Sequence, residues 1–535
     1  MRQNKRYRSL RIILYVATGL FSILAILIII AFLNMRDRHR GYHIGIDIEA
    51  PAPSVVKAGF AAFKITPEVV DTWTDVKGNS RFNPKEGDTS SDLTGTGEFD
   101  AVWMAGFHNR KPAMGVHDNL WARAMVLDDG HTRLAWVALD AIGLFGCDVI
   151  DIRKSLPGEA GIDYAIISSS HTHSAPDLMG LWGPGNFKSG VNPDYMEYVK
   201  SQTRQAILTA TENLRPARFR FATDPENAAY MIKDTRKPIV INPELRIMQA
   251  VDAETDETLG TLVQWDNHPE TIWSRNLLIT SDFPHYLREG IEKGIWDGDS
   301  LVTAGLGGVA MFVTGNIGGL MTTSPDVGID CPFTDTTYFE PTFEKVRAQG
   351  LALAGMTIGA LESPEAVILE KGGIALRAST INLPIDNRLF RLGAAMGIFN
   401  RGLTGWMEFR SEIAFWQLGP ASFLHHPGEL YPEIADGGID SPEGQDFNIG
   451  AQETPPLRKV MPGRYKFITG LSNDMIGYII PKSQWDTKPP HTYDYENRPY
   501  GEINSLGPRT GPLIHSAILE LLVDDKSYTP WSDLH

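Results

Sequence analysis

From Ile12 to Leu33 the chain reads IILYVATGLFSILAILIIIAFL, with no charged residue. A helix over this run would be roughly 33 Å long at 1.5 Å per residue, enough to cross a hydrocarbon core of about 30 Å. It is apolar on every face, which a soluble core helix rarely is over such a length. Arg2, Lys5, Arg6, Arg8 and Arg11 precede it; Arg36, Arg38 and Arg40, partly offset by Asp37, come after it. The larger cluster is N-terminal, so residues 1–11 are expected in the cytoplasm, 12–33 as a single span, and the rest outside, periplasmic or at the cell surface. The rival reading is a cleaved signal peptide. That would need an apolar core of about 7–15 residues and a small-x-small site after it, and no such site follows the run before MRDRHR.

Beyond this run the chain is acidic. Residues 1–40 hold eight Lys/Arg and one acid; taking these from the chain totals of 49 and 65 leaves 41 basic and 64 acidic side chains. Such a domain has no global attraction for nucleic acid, and no local basic patch stands out. Cys147 and Cys331 are the two cysteines. They could form one disulfide but no thiolate zinc site of the four-cysteine kind.

Residues 34–57 read as a stalk, with Pro51 and Pro53. A folded domain is expected over 58–535, interrupted by an insertion at 68–110 rich in Gly, Ser, Thr and Asp. Within it LAWVALDAIGLF (134–145) and YAIISSS (164–170) look like buried strands, with helical spacing between them over 147–156. Asn192, Pro193 and Asp194 make a helix start, and Met196, Val199, Thr203, Ile207, Ala210 and Leu214 give that helix one apolar face up to Pro216. A second helix is expected near 341–362. The alternation points to one large mixed α/β domain. No G-x-S-x-G occurs, so the serine-hydrolase fold is not expected.

Three segments could carry chemistry. AIISSS delivers His171 and His173 at its end, and residues two apart in extended chain point the same way. TLVQW delivers His268, with Pro269 blocking further pairing. ASFLHH ends in a Pro427-Gly428 turn, and Glu429 comes next. Three histidines and a carboxylate at strand ends suit a metal face, although each alone would more often be a hydrogen-bonded or capping group. His425 and His426 are lesser rivals, lying inside a strand. DLTGTGEFD (92–100) places Asp92, Thr94, Thr96 and Asp100 at spacings like a calcium loop. It has two carboxylates, and Trp103 stands where the twelfth-position glutamate belongs, so a solvated turn is the plainer reading.

AGFAAFKITP (58–67), GVHDNLWARA (115–124), ISSSHTHSAPD (167–177), DNHPET (266–271), HPGELYPE (426–433), GLSNDMIGYI (470–479) and SLGPRTGP (505–512) together resemble the neutral (non-lysosomal) ceramidases, over roughly residues 56–525. The resemblance implies a zinc amidase that splits ceramide into sphingosine and a fatty acid. It implies zinc ligands at His171, His173, His268, Glu429 and Tyr478; the tyrosine by itself would read as core. It also implies a catalytic serine in a segment like N-x-G-x-x-S-P-N. Here that segment is GNIGGLMTTSPD (315–326), which puts Met321 at the serine position ungapped, or Ser324 after a three-residue insertion. The immunoglobulin-like C-terminal domain of well-studied members is not expected.

These readings combine into a membrane-tethered zinc hydrolase of an amide, with ceramide or a related N-acyl lipid as substrate. Zinc would bring the pKa of a bound water toward about 7, and His173 or a neighbour would protonate the leaving amine. A hydrolase of a soluble amide or ester and a non-enzymatic receptor on the same fold remain open alternatives. One consequence is independent of chemistry. Protease added outside intact cells should digest the domain and spare residues 1–11; a mature N-terminus near residue 35 would instead establish a cleaved signal.

Overall fold

The computed structural model describes residues 2–522 apart from 187, 320 and 400. Met1, in the expected cytoplasmic segment, and residues 523–535, at the end of the expected domain, lie outside the described residues. Helix α1 (Arg2–Asn34) contains the apolar run, and none of the span-length stretch Arg11–Asn34 is buried against the rest of the protein.

The chain then builds two facing sheets. Strands β1 (Gly45–Ile48), β2 (Lys57–Lys64), β3 (Trp121–Asp128) and β4 (Arg133–Leu139) come first. Helix α2 (Gly146–Ser155), β5 (Tyr164–Ser169), α3 (Pro193–Glu212), β6 (Arg215–Asp224), β7 (Leu245–Asp252) and β8 (Thr258–Trp265) come after them. Helix α4 (Phe283–Lys293), β9 (Val309–Thr314), α5 (Phe343–Glu362), β10 (Val367–Leu369), β11 (Ile374–Pro384) and α6 (Arg388–Met396) come next. The described chain ends through β12 (Glu408–Leu418), β13 (Ala421–His425), β14 (Glu429–Leu430), β15 (Tyr465–Thr469), β16 (Tyr478–Ile479) and α7 (Thr510–Leu522).

Among the described residues the larger sheet runs β9-β8-β7-β6-β2-β3-β4-β5, with β10 beside β6. Its inner pairs are antiparallel, while both outermost pairs, β8–β9 and β4–β5, are parallel. Each parallel pair needs a crossover, and α4 and α2 supply them. The smaller sheet runs β1-β11-β12-β13-β15. Trp136 of β4 packs edge-on against Trp416 and Phe423 of the second sheet, both centroids 6.1 Å away. Helices α3, α4 and α5 lie on the large sheet and α7 on the small one. This layering explains why β4, β5 and β8 read as continuous apolar runs, since both of their faces are covered.

Local signals behave as their chemistry requires. The Asn192 side chain accepts from the backbone of Asp194 and Tyr195 and so caps α3, with Pro193 in its first turn. Gly59 of β2 lies under the end of that helix; a Cβ there would fall 2.0 Å from the Ala210 carbonyl. Three expectations need adjusting. Helix α3 stops at Asn213, and Pro216 lies within β6 opposite Lys57. The strand foreseen over 134–145 ends at Leu139, and the rest is a buried loop. Its burial made it look like strand, but Asp140 turns to a buried arginine, Arg288 of α4, through two bonds of 2.9 Å.

The segment read as a stalk is folded onto the domain. Asp37 pairs with Arg410, the Tyr42 hydroxyl accepts from Arg153, and β1 joins the small sheet along β11. The insertion at 68–110 has its own aromatic centre of Trp73, Phe82, Phe99 and Trp103, with consecutive rings 4.9–6.4 Å apart. No disulfide joins Cys147 and Cys331. Removing the Asp140 carboxylate would leave the Arg288 guanidinium buried without its partner. Asp140→Ala should therefore cost about 3–5 kcal/mol of stability in chemical denaturation of the detergent-solubilised chain. A loss below about 1 kcal/mol would show that water reaches the pair.

Candidate metal centre

His171 comes from the loop after β5, the last strand of the large sheet's order, and His268 from the loop after β8, second from the other end. The sheet curls until these ends meet. Arg123 of β3 reaches across to the Ala310 carbonyl of β9 at 2.9 Å, and the ring centroids of His171 and His268 are 5.0 Å apart. His173 lies 4.9 Å from His171 and 5.5 Å from His268, completing a group of three imidazoles that could hold one metal ion. The route differs from simple strand alternation. The strand stops at Ser169, and His171 has a left-handed backbone, φ 68°. A non-glycine residue in that region is strained, and such strain gathers at functional sites.

Two of the rings are oriented alike. His171 Nδ1 donates to the Ile142 carbonyl at 2.5 Å, and His268 Nδ1 donates to the Met321 carbonyl at 2.7 Å. These bonds place the proton on Nδ1 and turn both Nε2 lone pairs inward. Both meet the Glu429 carboxylate, at 3.8 Å from His171 and 3.3 Å from His268. Carbonyl-anchored imidazoles facing one carboxylate form the arrangement that metal-binding histidines adopt. Glu429 lies opposite Tyr478 in the short parallel pair β14–β16, and the Tyr478 hydroxyl donates to it. The structure thus gathers His171, His173, His268, Glu429 and Tyr478 in one place.

Burial dominates the electrostatics. It pushes the His171 pKa down to about 3, leaving a neutral ring at neutral pH. Burial alone would raise the Glu429 carboxyl, but His171, His268 and Tyr478 hold it below its usual range. Burial likewise works against a charged His268, yet Glu429 and Glu270 outweigh it and the shift is upward. Three imidazoles with a carboxylate and a phenol beside them make a donor set that could hold a metal ion.

His173 is placed differently. Its Nδ1 lies 2.9 Å from a Glu270 oxygen, an ion-pair contact without hydrogen-bond geometry, and its buried Nε2 has no hydrogen-bond partner in the protein. Glu270 is pinned from its other oxygen by the Thr322 hydroxyl at 2.7 Å. Burial would raise the Glu270 pKa, but His173 and Thr322 bring it down to about 2. Gly106, with φ +94°, permits the close approach of the preceding loop, since a Cβ there would fall 2.7 Å from His173 Cβ. Sequence reasoning passed over Glu270 and Thr322, although DNHPET and GNIGGLMTTSPD contain them; a glutamate after His-Pro reads as a turn residue.

The two serine candidates do not reach the histidines by their side chains. Met321 is buried in the core and contributes its carbonyl, which also accepts the His268 backbone N–H at 3.0 Å. The Ser324 hydroxyl donates to Asp326, and its carbonyl receives Lys345. His425 accepts from Trp416 between the sheets, and neither it nor His426 joins the three-histidine group. In the calcium-like loop Asp92 accepts from Gly97 N–H, and Asp100 accepts from the Thr94 and Thr96 hydroxyls. Those carboxylates serve their own turn.

Beside the histidines opens a cavity of about 100 Å³. Phe107, Phe145, Met179, Trp182, Phe399 and Phe409 supply much of its wall, with His171, His173, Glu429 and Tyr478 among its polar lining. Arg401 enters it stacked on Phe409, 4.0 Å from the ring centroid, with its charge held by Asp474 at 2.5 Å.

No protein-family model matches this sequence. The fold is similar to that of neutral ceramidase from Pseudomonas aeruginosa, with a TM-score of 0.56 at 16% identity over 89% of this chain and 76% of that one. A ceramidase complexed with C2 is similar at a TM-score of 0.57 and 15% identity, over 89% and 77% of the two chains. The mixed α/β architecture is therefore ceramidase-like.

If the three-histidine group holds a metal, the full chain purified in detergent should carry about one zinc per chain, and His268→Ala should lose it. Elemental analysis below a tenth of an equivalent after zinc supplementation would sink the metal-site assignment.

Proposed function

We propose that this chain is a zinc-dependent hydrolase, anchored in a membrane by α1 with its domain outside the cytoplasm, that cleaves the amide bond of ceramide or a related N-acyl lipid. The observation that carries the reading is the meeting of His171 Nε2 and His268 Nε2 at Glu429, with His171 and Glu429 lining an apolar cavity. Likeness in fold to ceramidase structures supports it. Of the three histidines, His171 and His268 would hold the ion with Glu429 and Tyr478, because their Nε2 atoms meet Glu429 whereas the His173 ring is turned to Glu270. When bound, it supplies Lewis acidity to a carbonyl and acidity to a water.

His173 is then free for proton transfer. With the Nδ1 proton directed to Glu270, the unpartnered Nε2 of this cavity-lining residue can take a proton from the attacking water. The same atom returns that proton to the leaving nitrogen. Glu270 orients the ring, and Thr322 orients Glu270. Water attacks the carbonyl carbon, the C–N bond breaks, and an acid and an amine leave. The aromatic walls take the hydrocarbon chains, as an apolar lining favours a lipid over a soluble amide.

This division of roles separates the variants. His171→Ala should lose zinc and turnover together. His173→Ala should keep zinc and lose about 10²- to 10⁴-fold in kcat. Met321→Leu should cost under about 1.5 kcal/mol in packing and leave turnover near normal. Ser324→Ala should also turn over normally. The assay is release of fatty acid from ceramides, N-acyl amino acids and simple esters by the full chain in micelles, with and without chelator. Abolished turnover in Ser324→Ala with zinc retained would assign the attack to a serine and overturn the mechanism. Cleavage of soluble amides alone would overturn the lipid assignment.

A further inference from the structure

The end of α1 does not hang free above the domain. Asn34 Nδ2 donates to the Ala395 carbonyl of α6 at 2.9 Å, and Leu403 N–H donates to the Met35 carbonyl at 2.9 Å. Asp37 pairs with Arg410 at 2.8 and 3.2 Å, and His39 Nε2 bonds the Cys147 carbonyl at 3.0 Å. Helix α6 and the loop after it are therefore fixed where the apolar run ends.

Helix α6 has two unlike faces. Gly393 and Ala394 are buried, and Phe390 stacks on Phe399 at 5.1 Å, both rings lining the cavity beside the histidines. On the other side Leu389, Leu392 and Met396 recur at helical spacing and stand 63, 49 and 47% exposed. Trp406, on the loop that returns from α6, is 87% exposed. Arg388, also on this helix, is exposed. Large apolar side chains on one face, a neighbouring tryptophan and an arginine that can reach headgroups are the composition of a helix lying in a membrane interface.

We propose that α6 and the loop through Trp406 form a bilayer-docking surface. Leu389, Leu392, Met396 and Trp406 insert into the outer leaflet from which α1 emerges. The proposal rests on the reading of α1 as a membrane anchor. A lipid surface is the occupant because the same helix is bonded to the last turn of the span, so no gap separates the two. The inner side of α6 is cavity wall, so docking sets the cavity beside the leaflet. An N-acyl lipid would then pass from acyl chains to Phe390 and Phe399 with little exposure to water.

The test uses the full chain, carrying Cys331→Ser, in phosphatidylcholine nanodiscs. A bimane label is attached at Leu392→Cys, Trp406→Cys, Leu20→Cys within α1, or Ile368→Cys on β10. Brominated lipids should quench the labels at 392, 406 and 20 at least threefold more than the label at 368. Quenching at 20 without quenching at 392 and 406 would overturn the docking surface and leave the anchor standing. No quenching at 20 would overturn the anchor, and the docking proposal with it. A label at 392 shielded from aqueous iodide yet untouched by brominated lipid would mean that a second copy covers the face, which also overturns the proposal. None of these readouts depends on catalysis, so they stand or fall separately from the hydrolase assignment.

Discussion

The salt bridge between Asp140 and Arg288 joins the two halves of the site. Asp140 begins the buried loop after β4, and the next two residues receive His171. The Ala141 carbonyl takes its backbone N–H, and the Ile142 carbonyl takes Nδ1. Arg288 lies on α4, which Asp282 caps, and the Asp282 carboxylate accepts the N–H groups of Thr271 and Ile272 just after His268. One doubly bonded ion pair thus fixes the loops that deliver two histidines from strands far apart in the sheet's order. Buried pairs of this kind add little net stability over apolar packing, but breaking one is costly, which makes the register it sets hard to lose.

Around that pair the site is held by backbone rather than by flexible side chains. Met321 and Ile142 act through their carbonyls, so the side chain at either position matters less than the path of the chain. This is why a methionine at the position where the ceramidase resemblance implies a serine is compatible with an intact histidine cluster. It also divides the imidazoles by chemistry. Two have Nδ1 committed to a carbonyl and Nε2 to the common centre, whereas His173 has a carboxylate behind it and an unpartnered nitrogen in front. A carboxylate behind an imidazole stabilises its protonated form; a carbonyl only selects the tautomer.

The cavity and the end of the apolar helix α1 form one continuous structure. Aromatic residues from distant parts of the chain, Phe107 in the insertion, Phe145 before α2 and Phe399 after α6, converge on one apolar space. The helix that closes it is bonded to the end of α1. The folding of residues 34–48 onto the domain therefore ties the orientation of the cavity to that of the apolar helix, which a free stalk could not do.

Local chemistry carried much of this in the sequence alone. The uncharged run requires a long helix with nowhere to bury itself. Asn192-Pro193 caps α3 through bonds within one turn, and the apolar runs of β4, β5 and β8 declare strands covered on both faces. The candidate ligands His171, His173, His268 and Glu429 stood out because each comes after a legible strand. Tyr478 needed the resemblance to known enzymes, since nothing near it distinguishes a ligand from core. Other features were decided only by tertiary structure. Glu270 and Thr322 gain meaning from a contact with His173 across the chain, and Phe107 from the curvature that carries its loop over the histidines. The strand foreseen to Phe145 stops at Leu139 because Asp140 finds an arginine 148 residues away. Sequence patterns report which side chains leave water; which of them meet depends on how the sheet closes, and that closure is set by contacts between residues far apart in the chain.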